Sequence, residues 1–398
     1  MTEVSPSSRS GVLFVAPQVP FPLDTGGKIR TYYQLMALAK AYPGAVDMLA
    51  LGPGIGEHGS DPLWRALRER LRGVHCVPRD GISRAGTMMA AARSLLGGLP
   101  YPVEKYQSEE AAEWIRARTA AGHYRAIHFD SLHTFRFVDA VQGPVRFVLD
   151  EHNVEALILE RMAQVETSTA RRLLIEDQAR RTDRFERSCA LQAHRVLLCS
   201  DDDRRLLAGR TGRDGGLVVI PNGVDLGRFE AEGEAIESPN PYVLFLGSMD
   251  WWPNSDGVSW FVESCWPRVR QQAPELTLKV VGRNPTAQIL ALDGHNGVEI
   301  VGGVPDVRPY MRGCSAFAVP LRVGGGTRLK ILEALSIGAP IVSTSLGCEG
   351  IEVVDGEHLR VADEPDALAD AVVEVAADKV QGERLARAGR RLVEERYG

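Results

Sequence analysis

VPLRVGGGTRLKILEALSIGAPIVSTSLGCEGIE, residues 319–352, reads as strand, glycine-rich loop, helix, glycine stop and strand. Gly324, Gly325 and Gly326 open the helix, Thr327 follows, Arg328 and Lys330 fall in its first turns, and Glu333 lies one turn further on. Backbone amides and the positive end of a helix at a glycine loop suit a phosphate. A carboxylate five to seven residues into such a helix lies roughly 8–10 Å from that end, at a rise of 1.5 Å per residue. That is close to the reach from a diphosphate to the hydroxyls of its ribose. Cations at a helix N-terminus oppose the dipole by about 0.3–1 kcal/mol each, an unfavourable placement that a bound phosphate would reverse. The bland alternatives are pairing of Arg328 and Lys330 with Glu349 or Glu352, and pairing of Glu333 with Lys330 at i, i+3.

Outward from this segment the same grammar repeats. Short apolar runs occur at 12–17, 46–51, 126–130, 146–150, 195–200 and 217–222, then at 242–247, 276–282, 298–302, 316–321 and 340–344. Most are near-continuous Val, Leu and Ile, as in strands buried on both faces. Helical patterns such as KIRTYYQLMALAKAY (28–42) lie between them. Strand and helix alternation implies parallel sheets covered on both sides. The stretch 201–240 is turn-rich and acidic, and 398 residues exceed one ordinary core. The expected fold is therefore α/β, with two Rossmann-like doubly wound domains facing each other across a cleft. The expected spans are 1–215, 216–385 and a C-terminal helix at 386–398. In such sheets ligands sit at the carboxyl ends of the strands.

Composition excludes several classes. The net charge of −6 gives no basic footprint for nucleic acid. Residues 1–190 carry 24 Lys/Arg against 22 Asp/Glu, a balance of +2 that admits at most peripheral contact with a membrane surface. The six cysteines are scattered without a C-x-x-C pair, so no metal site is expected and reduced thiols in cytosol are the default. MTEVSPSSRS is polar and reads as no signal peptide, and no apolar run reaches the length of a membrane span. The expected location is cytoplasmic, with a peripheral position at the inner membrane surface as the variant.

Three further constellations stand at strand ends. Gly26 and Gly27 precede a helix beginning near Lys28, either to admit a ligand to the backbone or to make the turn. Asp150, Glu151, His152 and Asn153 follow the strand RFVLD. His152 is a candidate general base or hydrogen-bond donor to a sugar, and capping of the next helix is the alternative for Asp150 or Asn153. His128 and His133 in HFDSLHTF read as structural in the first instance. Asp201, Asp202 and Asp203 imitate a metal motif, but Ser200-x-x-Asp203 is a capping box in form. Trp251 and Trp252 either line a cleft or pack a helix start.

PLDTGGKIR, DEHN, CSDDD, IPNGVD, FLGSMDWWPNSDG, VGRNP, VGGVPDVRPYM and the opening segment, in this order, resemble the retaining glycosyltransferases of the GT-B fold, family 4. The resemblance covers almost the whole chain. It implies a hexosyltransferase that uses no metal, with a nucleoside diphosphate sugar held by the C-terminal domain and an acceptor held by the N-terminal one. By the same resemblance Glu333 binds the ribose hydroxyls, Arg328 and Lys330 meet the pyrophosphate, and His152 contacts the transferred sugar. Gly26 and Gly27 close on the phosphates, and main chain near Arg283 and Val304 faces the base. Ser248, Gly325, Gly326 and Thr327 complete the implied donor set, and His133, Asp130 and Asn153 the acceptor set. The donor is a substrate, a UDP-sugar in preference, and no cofactor is implied.

There are two departures. Gly325 stands eight residues before Glu333, where relatives often have a glutamate that reaches the donor sugar. Relatives usually also continue past the arginine-rich helix ERLARAGRRLVEERYG into a helix that crosses back to the N-domain. Competing readings are a nucleotide-sugar-binding protein without transfer activity and a GT-B epimerase acting on the nucleotide sugar itself.

Overall fold

A computed structural model describes residues 11–54, 56–79 and 83–398. MTEVSPSSRS, read above as no signal peptide, lies outside the described residues. The chain forms two units, Met1–Ile220 and Pro221–Gly398.

Among the described residues the first unit contains seven strands: β1 (Gly11–Ala16), β2 (Val46–Leu51), β3 (Gly73–Val77), β4 (Tyr124–Asp130), β5 (Arg146–Glu151), β6 (Arg195–Leu198) and β7 (Leu217–Val219). They form one parallel sheet in the order 3-2-1-4-5-6-7. GVLFVA of β1 is buried along its whole length. Leu13 and Val15 enter one core layer with Ile127 and Phe129, and Phe14 and Ala16 enter the other with Tyr32 and Leu35. That two-sided burial is why the strand reads as a continuous apolar run.

The second unit contains β8 (Tyr242–Leu246), β9 (Thr277–Val281), β10 (Val298–Gly302), β11 (Ala316–Val319), β12 (Ile341–Ser343) and β13 (Arg360–Val361). Their order is 10-9-8-11-12-13, again all parallel. Two strands escape the apolar-run reading, the edge strand GVHCV of β3 and the two-residue β13. Both lack a continuous apolar stretch, because an edge position and a short ladder do not demand one.

Two boundaries differ from expectation. The division falls between Ile220 and Pro221 rather than at 215/216, because β7 pairs with β6 and so belongs to the first sheet. The last helix begins at Lys379, and Leu392, Val393 and Tyr397 lie in the core of the second unit. Asp201 to Asp203 open the helix Asp201–Thr211, as the capping reading expects. The Ser200 hydroxyl accepts the Asp203 N–H at 3.1 Å and donates to the Asp203 carboxylate at 2.7 Å.

Candidate functional site

In the second sheet the strand order reverses at β8, whose neighbours are β9 and β11. A crevice at the carboxyl ends of strands on either side of such a reversal is where open α/β sheets bind ligands. The loop after β8 carries Ser248, the helix that follows it, Trp252–Trp260, carries Asn254 in its first turn, and the loop after β11 carries the glycines. Gly326 has φ +64°, a left-handed conformation that glycine adopts without strain. The helix runs Leu329–Ile337 and stops at Gly338, also left-handed at φ +83°.

Arg328 is therefore the residue before the helix and not part of its first turn. Its guanidinium turns back and donates to the carbonyls of Gly325, Gly326 and Leu346. It braces the glycine loop from inside. Thr327 is held from the other side, its hydroxyl accepting from Asn222 at 2.7 Å. Lys330 reaches across to Asn254, donating to Oδ1 at 2.9 Å, with its ammonium 4.8 Å from the Phe245 ring centroid. Asn254 in turn donates to the Ser248 carbonyl at 2.8 Å, so Lys330 is tied to the β8 loop. Ser248 bonds Asp250 at 2.5 Å, and Asp250 also accepts from Asn284 at 3.1 Å. The Asp250 carboxyl lies below its usual range, because these two bonds outweigh the burial that opposes its charge.

Glu333 differs from its neighbours. It is half-buried, and its carboxylate has no hydrogen bond or ion pair among the described residues. Pairing with Lys330 at i, i+3 does not occur. Burial raises Glu333 to about 7 against the opposing pull of Arg228 and Lys330. Burial, with Arg328 adding to it, lowers Lys330 to about 7. Glu352 pairs with Arg396 instead of the loop cations. Arg283 is exposed at the end of β9, and its carbonyl accepts the Met249 N–H at 2.8 Å. Val304 packs against the core of this unit.

In the first sheet the order reverses at β1, between β2 and β4. Gly26 and Gly27 begin the helix Gly26–Ala41 after β1, with Thr25 as its cap. A Cβ on Gly27 would lie 3.6 Å from His152 Nδ1, an ordinary van der Waals contact, so the glycine sits beside the imidazole. His152 Nε2 donates to Asp130 at 2.8 Å and lies 3.4 Å from Asp150. Arg30 makes a bidentate contact to Asp150, at 2.8 and 3.1 Å, and donates to the Ile220 carbonyl at 2.9 Å. Thr31 donates to the second oxygen of Asp130 at 2.6 Å. Burial opposes the imidazolium, but Asp130 and Asp150 outweigh it and raise His152 to about 10. Burial likewise opposes Asp150, and His152 and Arg30 hold it far below the usual carboxylate range.

This network bears on three of the expected roles. Asp130 and Asp150 favour the imidazolium form of His152, so of its two expected roles they favour the hydrogen-bond donor over the general base. Asp130 is fully buried with both oxygens engaged, so it orients His152 and is not exposed to an acceptor. His133 is held near about 3 by burial and by Lys105, with Nδ1 3.3 Å from the Ser131 hydroxyl and its ring 4.7 Å from Tyr106. Asn153 bonds Glu155 at 3.4 Å. Ser131, between Asp130 and the next helix, has φ +115°, a strained conformation for a serine and a mark of a constrained strand end.

His128, Asp130 and Asp150 place one potential ligand atom each within 4.8 Å of the others. Arg30, His152 and Thr31 already use the two carboxylates, and a cation there would face the Arg30 guanidinium. His128 stacks on Phe14 at 4.5 Å. Arg30, Thr31, Asn222 and Asn254 are the residues that sequence reasoning passes over. Asn222 and Asn254 stand inside IPNGVD and WWPNSDG, and Arg30 and Thr31 follow PLDTGGK, so their motifs are visible while their partners are not.

Residues 240–378 match the family Glycosyl transferases group 1. A phosphatidyl-myo-inositol mannosyltransferase of Mycobacterium leprae is 30% identical over 205 residues, spanning 50% of this chain and 54% of that protein. The chain thus spans about half the length of the curated relatives it matches. Sucrose-phosphate synthase from Thermosynechococcus elongatus superposes with a TM-score of 0.70 at 19% identity, over 98% of this chain and 95% of that one. The Anabaena protein HepE in complex with UDP-glucose gives 0.62 at 15% identity, over 97% and 95%. Residues 240–378, the segment that carries the glycine loop and Glu333, thus match the Glycosyl transferases group 1 family, and the chain has the GT-B fold of these solved structures.

Proposed function

We propose that the protein transfers a hexose from a nucleoside diphosphate sugar to an acceptor hydroxyl, with retention of configuration. The observation that carries the reading is Glu333, a half-buried carboxylate without a partner among the described residues, one turn beyond a glycine loop at a strand-order reversal. A pair of ribose hydroxyls supplies the donors it lacks. UDP is the favoured carrier, since solved relatives of the same fold hold UDP or UDP-glucose.

In this reading the second unit holds the donor and the first unit the acceptor. The loop amides and Lys330 receive the diphosphate, and its charge draws the Lys330 proton back on. Arg328 fixes the loop and adds its charge to the leaving group. The bond from the anomeric carbon to the phosphate oxygen breaks as the acceptor oxygen bonds to that carbon from the same face. The acceptor proton passes to the departing phosphate. His152, as an imidazolium, donates to a sugar oxygen and takes no proton from the acceptor.

The test is a panel of UDP, GDP, ADP and dTDP sugars in a thermal-shift screen, followed by product analysis with the best binder. A ligand at 100 times its dissociation constant stabilises by about 2.7 kcal/mol. Stabilisation by one sugar nucleotide in the wild type and its loss in Glu333→Gln are expected. No stabilisation by any of them overturns the donor site, and an altered sugar formed from donor alone assigns an epimerase instead.

A further inference from the structure

The turn that carries His152 leads into the helix Glu155–Val165, and that helix begins at Val154 without a side-chain cap of its own. Its first amide, the N–H of Glu155, is one of the donors that a helix start leaves without an internal partner. It is met from 31 residues away: Glu186 Oε1, in the helix Thr169–Gln192, accepts it at 2.7 Å. The Cys199 thiol donates to the His152 carbonyl at 3.2 Å. Side chains remote in sequence thus hold both ends of the turn from His152 to Glu155.

The residue before His152 is an acid left without a donor. Glu151 ends β5 and is buried. Neither of its carboxyl oxygens has a hydrogen-bond partner among the described residues. The same holds for Glu186 Oε2 and the Thr182 hydroxyl, both on fully buried residues. Leu149 lies two residues back along β5, on the same face as Glu151, and shares a core with Cys189 and Ala190. Glu186 and Thr182 stand one and two turns before Ala190 on its helix, so strand and helix present these four atoms to one another. A buried carboxylate without a donor is costly when ionised and keeps its proton instead.

The surrounding charges press the same way. Burial raises Glu151 well above the usual carboxylate range, and Glu186, Glu155, Asp150 and Asp203 add to it. Burial also raises Glu186, to about 8, against the pull of the Glu155 amide and Arg210 and with the push of Glu155 and Asp183. Arg210 is itself engaged by Glu160 and Asp183, at 2.7 and 3.0 Å. Burial raises the nearby thiols of Cys189 and Cys199, which keeps both neutral.

We propose that Glu151 carries a proton in the folded protein and, as a neutral acid facing Glu186, keeps the Glu186 carboxyl on the Glu155 amide, so that the two acids are positioning residues for His152. The proton supplies a donor to a group of unpartnered oxygens whose other hydrogen is that of the Thr182 hydroxyl. Two ionised carboxylates in the same place would repel and pull Glu186 off the helix start. Only the role of His152 rests on the proposed transfer. The proton on Glu151 is read without any activity, so the two readings fail separately.

Melting curves of the full chain across pH test the proton. Unfolded Glu151 ionises near 4.5, so the stability held by its neutral form is fully present below 4.5 and is lost as pH rises through its raised value in the fold. Glu151→Gln keeps the neutral shape and cannot ionise. It should melt with the wild type at about pH 4 and by about 4 °C or more above it at about pH 8. Infrared difference spectra between the two should show a protonated carboxyl stretch at neutral pH in the wild type alone. Low-field proton NMR tests the positioning through the His152 Nε2–H on Asp130, a signal that His152→Gln assigns. Glu186→Ala should lose or broaden it, and Glu186→Gln, which still accepts the Glu155 amide, should keep it. Circular dichroism checks that each variant is folded. If the alanine variant is not, the glutamine variant decides, and loss of its signal sinks the positioning role. An ionised Glu151 in the infrared, or an unchanged signal in folded Glu186→Ala, overturns the proposal. So does stabilisation of the wild type by Mg²⁺ that Glu151→Gln abolishes, since a cation then takes the place of the proton.

Discussion

The sites at the two strand-order reversals are built on opposite principles. Around His152 two charge pairs close internally: Arg30 meets Asp150, His152 meets Asp130, and Thr31 takes the remaining Asp130 oxygen. Glu333 has no hydrogen bond or ion pair among the described residues, and burial raises Glu333 to about 7 and lowers Lys330 to about 7. The first arrangement fixes a cation in place before any ligand arrives. The second leaves a carboxylate and an amine whose charged forms burial disfavours.

The contrast breaks most visibly in stability. Asp150→Ala strands the Arg30 guanidinium in a buried position and should destabilise the protein by about 3–5 kcal/mol, read as a drop in urea midpoint. A change under 1 kcal/mol would mean that the network is not a closed unit. Glu333→Gln should behave differently and lose ligand, not fold. Removing a charge-assisted bond to ribose costs about 1.5–3 kcal/mol, so sugar-nucleotide affinity should fall by roughly tenfold to a hundredfold in calorimetric titration.

The pH responses sharpen the comparison. Folding raises His152 from 6.5 to about 10, so its contribution is fully present below 6.5 and is lost as pH climbs through 10. Glu333 is raised from 4.5 to about 7, so its contribution is present below 4.5 and lost by pH 7. Above pH 7 the ionised, half-buried Glu333 should leave the wild type less stable than Glu333→Gln by about 1–2 kcal/mol after screening. That advantage should vanish at pH 4, and melting curves across this range check it. His152→Gln should flatten the decline between pH 7 and 10. The smallest expected effect lies away from both sites. Ser200→Ala removes a helix cap and should cost about 1 kcal/mol without altering donor affinity.

Much of this was legible from residue order. The Gly324 to Gly326 loop, the Gly338 stop and the Ser200 cap are local, because each follows from the conformation or hydrogen bonding of a few adjacent residues. The roles of Arg328 and Asp130 were not. Arg328 sits beside a helix start, and only the folded loop shows its guanidinium turned back onto its own carbonyls. Asp130 ends a strand like any exposed acid, and only the pairing of β4 with β5 brings it to His152.

The sequence by itself determined the alternation of strands and helices, the glycine loop and the position of Glu333 along its helix, since these depend on periodicity and near neighbours. Tertiary structure decided which charges are satisfied. Arg30 and Asp150 are 120 residues apart, and Lys330 and Asn254 are 76 apart. A side chain's protonation and partners are set by what packs against it, and sheet topology, not chain order, brings those neighbours together.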